Sequence, residues 1–332
     1  MKAAVIGSGA WGTALALRLC QNGHKVSLWC HDPSRVPQIA ASRFNPRLPG
    51  VALPENLTIS ADFSCAEGCE LVVIACPSFP LRSVCRGVAP HIAQDAVVVS
   101  ATKGLEQGTH LRMSQVAAQE TGKDVVVLTG PSHAEEVARN LPTGLLSASE
   151  NQALAEFVQN AFMADTLRVY TNPDPVGAEL GGALKNVIAL CAGITDGLGF
   201  GDNSKAMLMT RGLTETARLG VALGAQKETF TGLAGVGDLI VTCTSMHSRN
   251  RRAGILIGQG KTAQEAMAEV GAVVEGYYAA KSAWELGKAK GIDMPITEAA
   301  YRVLYENTNV SEAVQGLLNR QRKAETENPG WL

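Results

Sequence analysis

The amino-acid sequence predicts an α/β protein in which a doubly wound parallel sheet is followed by an all-helical domain. Three observations lead to this prediction. Short β-branched runs alternate with helical patterns in the first half, a glycine-rich turn directly follows the first run, and only helical patterns follow Val176. The chain has 332 residues, more than one hydrophobic core normally serves, so two domains are expected.

Runs of β-branched and apolar residues predict the strands. They are apolar on both faces, which is typical of a parallel sheet covered by helices on both sides. The runs span 3–7, 25–29, 71–75, 96–101 and 124–130, and two further candidates, 143–148 and 166–171, extend the sheet. Segments with helical spacing lie between them, which indicates the doubly wound arrangement.

The segment GSGAWG (7–12) follows the first strand and opens a helix, which is the context that a dinucleotide-binding fingerprint requires. Gly7 would make the tight turn, Gly9 would let the backbone approach a pyrophosphate, and Gly12 would let the helix pack closely on the strand. The free amides at the helix N-terminus would then hold the anion. A glycine-rich turn without a ligand is the alternative.

The pattern changes at TNPDPVG (171–177), where two prolines and several turn formers end the last strand. The predicted helices beyond it span 176–195, 203–223, 248–258, 262–270, 276–290, 295–306 and 310–322. We expect a Rossmann-like dinucleotide-binding domain over 1–175, a helical substrate-binding domain over 176–325 and a flexible tail over 326–332.

The end of the second strand bears on the choice between NAD and NADP. An NAD-specific domain usually has Asp or Glu there for the adenosine ribose 2′-hydroxyl, and that place falls at Cys30 or His31. Asp32 lies beyond it, and His31 and Arg35 are suited to a 2′-phosphate. We therefore expect NADP, with NAD as the alternative.

LGGALKNVIALCAGI (180–194) is small, apolar or neutral except for Lys185. On a helix, Lys185 lies at the margin of an apolar stripe. One interpretation is a lysine that extends to water. The other is a partly desolvated amine with a lowered pKa that accepts a proton near neutral pH, with Asn186 beside it to hydrogen-bond a substrate oxygen.

Two segments follow neighbouring strands at the edge where ligands bind to a doubly wound sheet. SATKGLE (100–106) places Lys103 there, and TGPSHAEEV (129–137) places Gly130 and Ser132 there. Ordinary turn chemistry explains each segment alone. Because both lie on the cofactor side, substrate contacts are favoured.

MHSRNRRAG (246–254) combines a good helix N-cap, Ser248, with three arginines in four residues. A solvated basic run is the default, whereas an arginine beside free helix amides makes a compact phosphate site. Just before it, GVGDLIVTC (235–243) places Asp238 in an apolar setting. An unpaired carboxylate is costly there, and a nearby lysine would satisfy it.

Composition excludes several classes of protein. Lys and Arg total 29 against 31 Asp and Glu, a formal net charge of −2 that predicts neither nucleic-acid nor membrane-surface binding. The eight cysteines form no CxxC pair, so we expect buried free thiols in a reducing compartment and no metal site. The N-terminus lacks a signal-peptide pattern, and no apolar run reaches the ~20 residues that span a bilayer. We expect a cytoplasmic protein.

With these residues assembled, the chain resembles the bacterial type of NAD(P)-dependent glycerol-3-phosphate dehydrogenase over nearly its whole length. The motifs that carry the resemblance are GSGAWGTALA, SATKGLE, GPSHAEEVA, GGALKNVIALCAGI, GVGDLIVTC, TSMHSRN and VVEG. The resemblance implies a Rossmann domain followed by a helical substrate domain, in a protein that is commonly a homodimer. The implied reaction interconverts dihydroxyacetone phosphate and sn-glycerol 3-phosphate, which serves phospholipid synthesis.

The resemblance also assigns roles to individual residues. Lys185 becomes the proton acceptor, and the implied substrate contacts are Lys103, Gly130, Ser132, Asp238, Ser248, Arg249 and Asn250. The implied cofactor contacts are Ala10, Trp11, His31, Lys103, Ala134, Arg249, Val273 and Glu275. Two positions depart from the family pattern: Ala10 stands where serine is frequent, and His31 stands where arginine is usual. The second departure puts the strength of the NADP preference in doubt.

Two rival functions stay open at this point. One is another reductase of the same architecture, acting on 6-phosphogluconate or a similar β-hydroxy acid, or on ketopantoate. Such enzymes also use a helix lysine, but SRN (248–250) together with VVEG (273–276) argues against them. The other is a non-catalytic dinucleotide-sensing module, which gives no reason for a lysine in an apolar helix together with a phosphate site.

Overall fold

A computed structural model describes residues 1–322 and 324–325, so the predicted tail over 326–332 lies outside the described residues. The strands are β1 (Lys2–Ile6), β2 (Lys25–Trp29), β3 (Leu57–Ser60), β4 (Leu71–Ile74), β5 (Val97–Ser100), β6 (Val125–Thr129), β7 (Thr143–Ala148) and β8 (Leu167–Asn172). Every predicted strand is present within about two residues of its expected bounds. β3 was not predicted, because only Leu57 of its four residues is buried.

The strands form one sheet in the order β3-β2-β1-β4-β5-β6-β7-β8. All neighbours pair in parallel except β6 and β7, which are antiparallel. From β1 the chain builds β2 and β3 on one side and then crosses to β4 on the other. Ligands of such sheets bind in the crevice at the carboxyl ends of the strands, where the order reverses. The confirmed α/β fold places the candidate site at that edge.

Helices cover both faces of the sheet. In this half of the chain they are α1 (Ala10–Gln21), α2 (Arg35–Ser42), α3 (Leu81–Val88), α4 (Met113–Thr121), α5 (Ala134–Ala138) and α6 (Gln152–Phe162). Successive residues of β1 point to opposite faces. Val5 therefore packs in one core with Leu15 of α1, and Ile6 packs in a second core with Val84 of α3 and Val116 of α4.

The chain beyond the sheet is helical, as predicted. Its helices are α7 (Pro175–Gly197), α8 (Asp202–Ala222), α9 (Asp238–Thr244), α10 (Arg249–Gly258), α11 (Ala263–Val270), α12 (Glu275–Lys290), α13 (Pro295–Tyr305) and α14 (Val310–Leu318). The prediction of a helix as far as residue 322 was wrong, because the polar residues after Leu318 are exposed and offer no apolar face. The prediction also missed α9, whose LIVT segment is rich in β-branched residues.

α7 is the central helix of this half. It packs against α8, α9, α10 and α12 and is buried along almost its whole length. A Cβ at Gly193 of α7 would lie 2.1 Å from the carbonyl oxygen of Arg251, and one at Gly254 of α10 would lie 2.0 Å from that of Leu190. The two helices can therefore approach this closely only where both lack side chains.

α7 also corrects the expectation that no apolar run is long enough to span a bilayer. By length and composition α7 passes that test, but its most apolar stretch lies wholly inside the protein. A helix that is apolar on all sides is typical of the core of a large protein as well as of a membrane.

Asp174 fixes the start of α7. Its Oδ1 accepts a hydrogen bond from the Gly177 amide at 2.8 Å, as is typical of an N-cap carboxylate. Its Oδ2 accepts from the Gln226 amide at 2.8 Å and from Thr229 Oγ1 at 2.7 Å. One buried carboxylate thus ties α7 to the segment after α8, and the helix that carries Lys185 is held in place.

Candidate active site

The turn between β1 and α1 has the geometry that a pyrophosphate needs. Gly7 has a φ of 132°, and a Cβ there would lie 2.6 Å from the carbonyl oxygen of Ala75 at the end of β4. A Cβ at Gly12 would lie 1.9 Å from the carbonyl oxygen of Gly7, so α1 packs directly on the turn. A Cβ at Gly9 would meet no atom within 4 Å. Backbone amides at the start of α1 thus adjoin open space, which fits an anionic ligand.

The end of β2 carries no acidic side chain. His31 is exposed, and its ring stands edge-on to Trp29 with the centroids 6.1 Å apart. Asp32 accepts hydrogen bonds from Ser34, at 2.6 Å from the hydroxyl and 3.0 Å from the amide, and these bonds hold the pKa of its carboxyl below the usual value. The Arg35 guanidinium donates to Asn45 Oδ1 at 3.3 Å. The Asp32 carboxylate is thus engaged in a local turn.

The remaining cofactor candidates lie at or near the starts of helices. Ala10 and Trp11 open α1, Ala134 opens α5, and Glu275 opens α12 two residues after Val273. Among the described residues, the buried indole Nε1 of Trp11 has no hydrogen-bond partner. A buried donor of this kind is costly when left unpaired.

Glu275 joins the helical half to the sheet. Its Oε2 accepts a hydrogen bond from Ser78 Oγ in the loop after β4 at 2.8 Å. A Cβ at Gly104, in the loop after β5, would lie 2.8 Å from Ser78 Cβ and 3.5 Å from the same Glu275 oxygen. Burial raises the pKa of Glu275, against the hydrogen bonds from Ser78 and the charge of Arg249. Loops from two strands thus meet the start of α12 at the crevice.

Asp238, at the start of α9, is buried, and its carboxylate is shared by two lysines. Lys185 Nζ, from α7, donates to Oδ1, and Lys103 Nζ, from the loop after β5, donates to Oδ2 at 2.7 Å. The Lys185 ammonium also donates to Thr242 Oγ1 at 2.6 Å. Lys185 is only 7% exposed, so it does not extend to water. The sequence left both orientations open, and the structure has the buried one.

Burial lowers the pKa of Lys185 to about 7. Desolvation of the ammonium is the largest cause; the Asp238 charge opposes it, and the Lys103 charge adds to it. Because this pKa lies near neutrality, the amine can both accept and release a proton under physiological conditions.

Lys103 brings the loop after β6 into the same cluster. Its Nζ donates to the carbonyl oxygen of Gly130 at 3.0 Å, and Ser132 Oγ donates to that same carbonyl at 2.9 Å. The side chain of Lys103 is 22% exposed, against 1% for Asp238. Lys103 is therefore the more accessible of the two lysines, and Lys185 lies deeper in the protein.

The predicted phosphate site lies at the start of α10. Ser248 is the N-cap, and its hydroxyl accepts a hydrogen bond from the Arg251 amide at 3.2 Å. Arg249 is exposed, whereas Asn250 is buried. The Asn250 amide donates to Asn186 Oδ1 at 2.9 Å, and its oxygen accepts from the Gly276 amide at 2.8 Å. This network fixes the first turn of α10 against α7 and α12.

Thr242 is the residue that sequence reasoning missed. It lies four residues after Asp238 in α9, so the two side chains share a helix face. Its hydroxyl donates to the carbonyl oxygen of Asp238 at 2.6 Å, which leaves the oxygen lone pairs to accept from Lys185. A helical interpretation of GVGDLIVTC would have placed both residues beside the lysine.

Comparison with known proteins identifies the family. The protein-family model for the NAD-dependent glycerol-3-phosphate dehydrogenase N-terminus matches residues 2–155. The protein-family model for the NAD-dependent glycerol-3-phosphate dehydrogenase C-terminus matches residues 174–315. The chain belongs to this family.

Relatives and a solved structure from this family match nearly the whole chain. It is 52% identical over 326 residues to a glycerol-3-phosphate dehydrogenase (NAD(P)+) of Thermoanaerobacter sp., covering 98% of this chain and 99% of the relative. For the enzyme of the same name from Geobacillus kaustophilus the identity is 52%, with coverage of 98% and 96%. The crystal structure of glycerol-3-phosphate dehydrogenase from Coxiella burnetii superposes with a TM-score of 0.92 at 41% identity, covering 96% of this chain and 99% of that one.

The rival reductases share the architecture alone. A ketopantoate reductase from Ralstonia eutropha superposes with a TM-score of 0.63 at 18% identity, covering 96% of this chain and 100% of that one. At that level of identity the likeness shows the fold and does not extend to the substrate.

Proposed function

We propose that this protein interconverts dihydroxyacetone phosphate and sn-glycerol 3-phosphate by hydride transfer, with NADP or NAD as the cofactor. The observation that carries the proposal is the buried ammonium of Lys185, which shares the Asp238 carboxylate with Lys103 at the crevice of a sheet with a dinucleotide-binding turn. A buried amine with a pKa of about 7 is typical of a catalytic site, and a dinucleotide-sensing module does not require one.

The glycine turn and its surroundings suit the cofactor. Gly7, Gly9 and Gly12 shape the pyrophosphate site, and the backbone of Ala10 and Trp11 supplies amides at the start of α1. His31 lies where the adenosine ribose is expected, and the carboxylate of Asp32 is engaged elsewhere, which favours NADPH over NADH. When bound, the nicotinamide ring supplies or accepts the hydride.

Lys185 handles the proton of the reacting oxygen. In the oxidative direction its neutral amine accepts the proton of the C2 hydroxyl as the hydride leaves C2. In the reductive direction its ammonium gives that proton to the developing alkoxide. Asp238 and Thr242 hold Nζ in one position, so little reorganisation is needed when the proton moves.

Neighbouring groups position the substrate. Lys103 adds positive charge beside the same oxygen, and Gly130 and Ser132 border it on the β6 side. At the other end, the phosphate lies at the first turn of α10, where Ser248, Arg249 and Asn250 supply a hydroxyl, a guanidinium and an anchored backbone. A fixed phosphate determines which carbon faces the nicotinamide.

The proposal extends to the setting of the enzyme. Residues 1–175 would act as the cofactor domain and 176–325 as the substrate domain. We further propose that the protein is a cytoplasmic homodimer whose product supplies phospholipid synthesis. The resemblance stated above supports the two domain roles, the dimer and the link to phospholipid synthesis, and the free cysteines suit the reducing cytoplasm.

A nicotinamide absorbance assay tests the activity. We expect oxidation of NADPH, and more slowly of NADH, to depend on dihydroxyacetone phosphate and to be absent with dihydroxyacetone. Ketopantoate and a β-keto acid are the matched alternative substrates. Turnover of either one in place of dihydroxyacetone phosphate would overturn the proposal, and tight cofactor binding without any turnover would favour the sensing module.

A further inference from the structure

Two histidines that the mechanism above does not use meet beside the proposed phosphate site. His133 is the N-cap residue of α5, directly after Ser132, and His247 directly precedes Ser248, the N-cap of α10. Their rings lie 5.5 Å apart, centroid to centroid, with a tilt of 53°. Each histidine therefore adjoins a proposed substrate contact, and the pair links the loop after β6 to the start of α10.

The two rings differ in their environment. His247 is exposed, whereas His133 is partly buried and its Nε2 is a buried atom without a hydrogen-bond partner among the described residues. A buried polar atom of this kind is costly when left unpaired. His247 thus brings an exposed ring next to a ring whose Nε2 has no partner among these residues.

We propose that His133 and His247 together bind the phosphate group of the substrate, with one proton held between them when the phosphate monoester dianion is present. The proposal rests on the function proposed above. It adds two phosphate-binding residues to those at the start of α10, and it makes the affinity for phosphorylated substrates depend on pH.

The charges around His133 set the direction of that dependence. They come from Glu136 on α5, Lys185 on α7 and His247, and the backbone of Val241 on α9 favours the protonated ring. Burial is the main cause that lowers the pKa of His133, and the charges of Lys185 and His247 act in the same direction. The ring is therefore neutral at neutral pH without a ligand. A phosphate dianion favours the protonated form, so substrate binding takes up a proton.

Kinetics of the His247→Gln variant test the proposal first, because an exposed side chain can be replaced without loss of the fold. The measurement is KM and kcat for dihydroxyacetone phosphate between about pH 6.5 and 9. We expect a KM about tenfold above that of the unmodified protein at the acid end, a ratio near one at the alkaline end, and little change in kcat. Ionisation of the substrate phosphate cancels in the ratio.

Two further variants separate a proton-holding pair from a structural contact. His133→Asn should show the same pH-dependent ratio, and the double variant should add little to either single change, since the pair acts as a unit. His91→Gln, which removes a histidine paired with Glu67 on another part of the sheet domain, is the control and should leave KM unchanged. A KM ratio that is constant over the pH range, or additive effects of the two changes, would overturn the proposal.

A binding measurement that needs no turnover completes the test. The chain has six histidines, so their ring protons can be followed by NMR and assigned with the single variants. Adding sn-glycerol 3-phosphate or inorganic phosphate should raise the pKa of a ring in the pair, and glycerol should not. Histidine titrations that neither anion changes would contradict the proposal even in an active enzyme. A raised pKa without turnover would support the phosphate site and contradict the proposed reaction.

Discussion

The glycine turn and the lysine–aspartate cluster are built in opposite ways. The turn is one contiguous segment, residues 7–12, and its features are those of the backbone: a positive φ, close contacts and free amides. The cluster joins side chains from separate elements, and Lys103 and Asp238 are 135 positions apart. A local site depends on a few φ and ψ angles, whereas the cluster depends on how α9 packs against α7 and how α7 packs against the sheet. Changes in the two regions should therefore have separable effects.

The largest separation is expected for Lys185→Ala. Loss of the only deeply buried amine of the cluster should lower kcat by about 10³-fold, within the range of general acid–base catalysis. The dissociation constant of NADPH, measured by fluorescence titration, should change less than twofold, because no glycine-turn contact is altered.

Lys205→Ala is a matched control for that change. Asp196 is shared by Lys205, at 2.7 Å, and Arg251, much as Asp238 is shared by Lys185 and Lys103. Removal of the Lys205 ammonium leaves Asp196 with Arg251 as a cationic partner. The kcat of this variant should stay within about twofold of the original. Equal losses in the two variants would mean that Lys185 acts through stability alone, and unaltered turnover in Lys185→Ala would refute its role.

Substitutions in the glycine turn should show the reverse pattern. They should weaken NADPH binding by about ten- to a hundredfold. In Gly12→Ala the new Cβ collides with the Gly7 carbonyl oxygen, so both NADPH affinity and Tm should fall. In Gly9→Ala the new Cβ meets no protein atom within 4 Å, so Tm should hold while NADPH affinity falls. Wild-type affinity in the Gly9 variant would place the pyrophosphate elsewhere.

The start of α10 should behave as part of the side-chain site. Arg249→Ala should raise KM for dihydroxyacetone phosphate about twentyfold, as expected for loss of a charge-assisted contact to phosphate, with a smaller effect on kcat. Arg252→Ala, an exposed arginine three residues along the same helix, is the control and should leave KM unchanged. If the two variants gave the same KM, the phosphate assignment would fail.

The comparison also explains how far the sequence could be interpreted. Strands buried on both faces and the glycine turn carry strong local signals, and both were found from the sequence within about two residues. Asp238 and Lys185 were both singled out, and a lysine was expected beside Asp238. That both Lys103 and Lys185 share one carboxylate could not be predicted, because the packing of α7 against α9 decides it.

The missed elements have physical reasons of a similar kind. β3 is a short edge strand with one buried residue, so it lacks the apolar run that marks its neighbours. α9 has a β-branched sequence, yet it is helical in its packed position beside α7 and after a π-helical turn at Leu233–Gly237. Tertiary contacts outweigh local propensity there, and with them Thr242 enters the site.

The pH dependence of the two reaction directions tests most directly the claim that Lys185 moves the proton. Its pKa of about 7 predicts that kcat for oxidation of sn-glycerol 3-phosphate rises about tenfold between about pH 6 and 8, as the ammonium becomes a neutral amine. In the same range kcat for reduction should fall, because the ammonium is the acid. Asp238→Asn removes the charge that favours the ammonium, so both limbs should move to lower pH. Limbs of the same sign in both directions, or limbs unmoved by Asp238→Asn, would contradict the account.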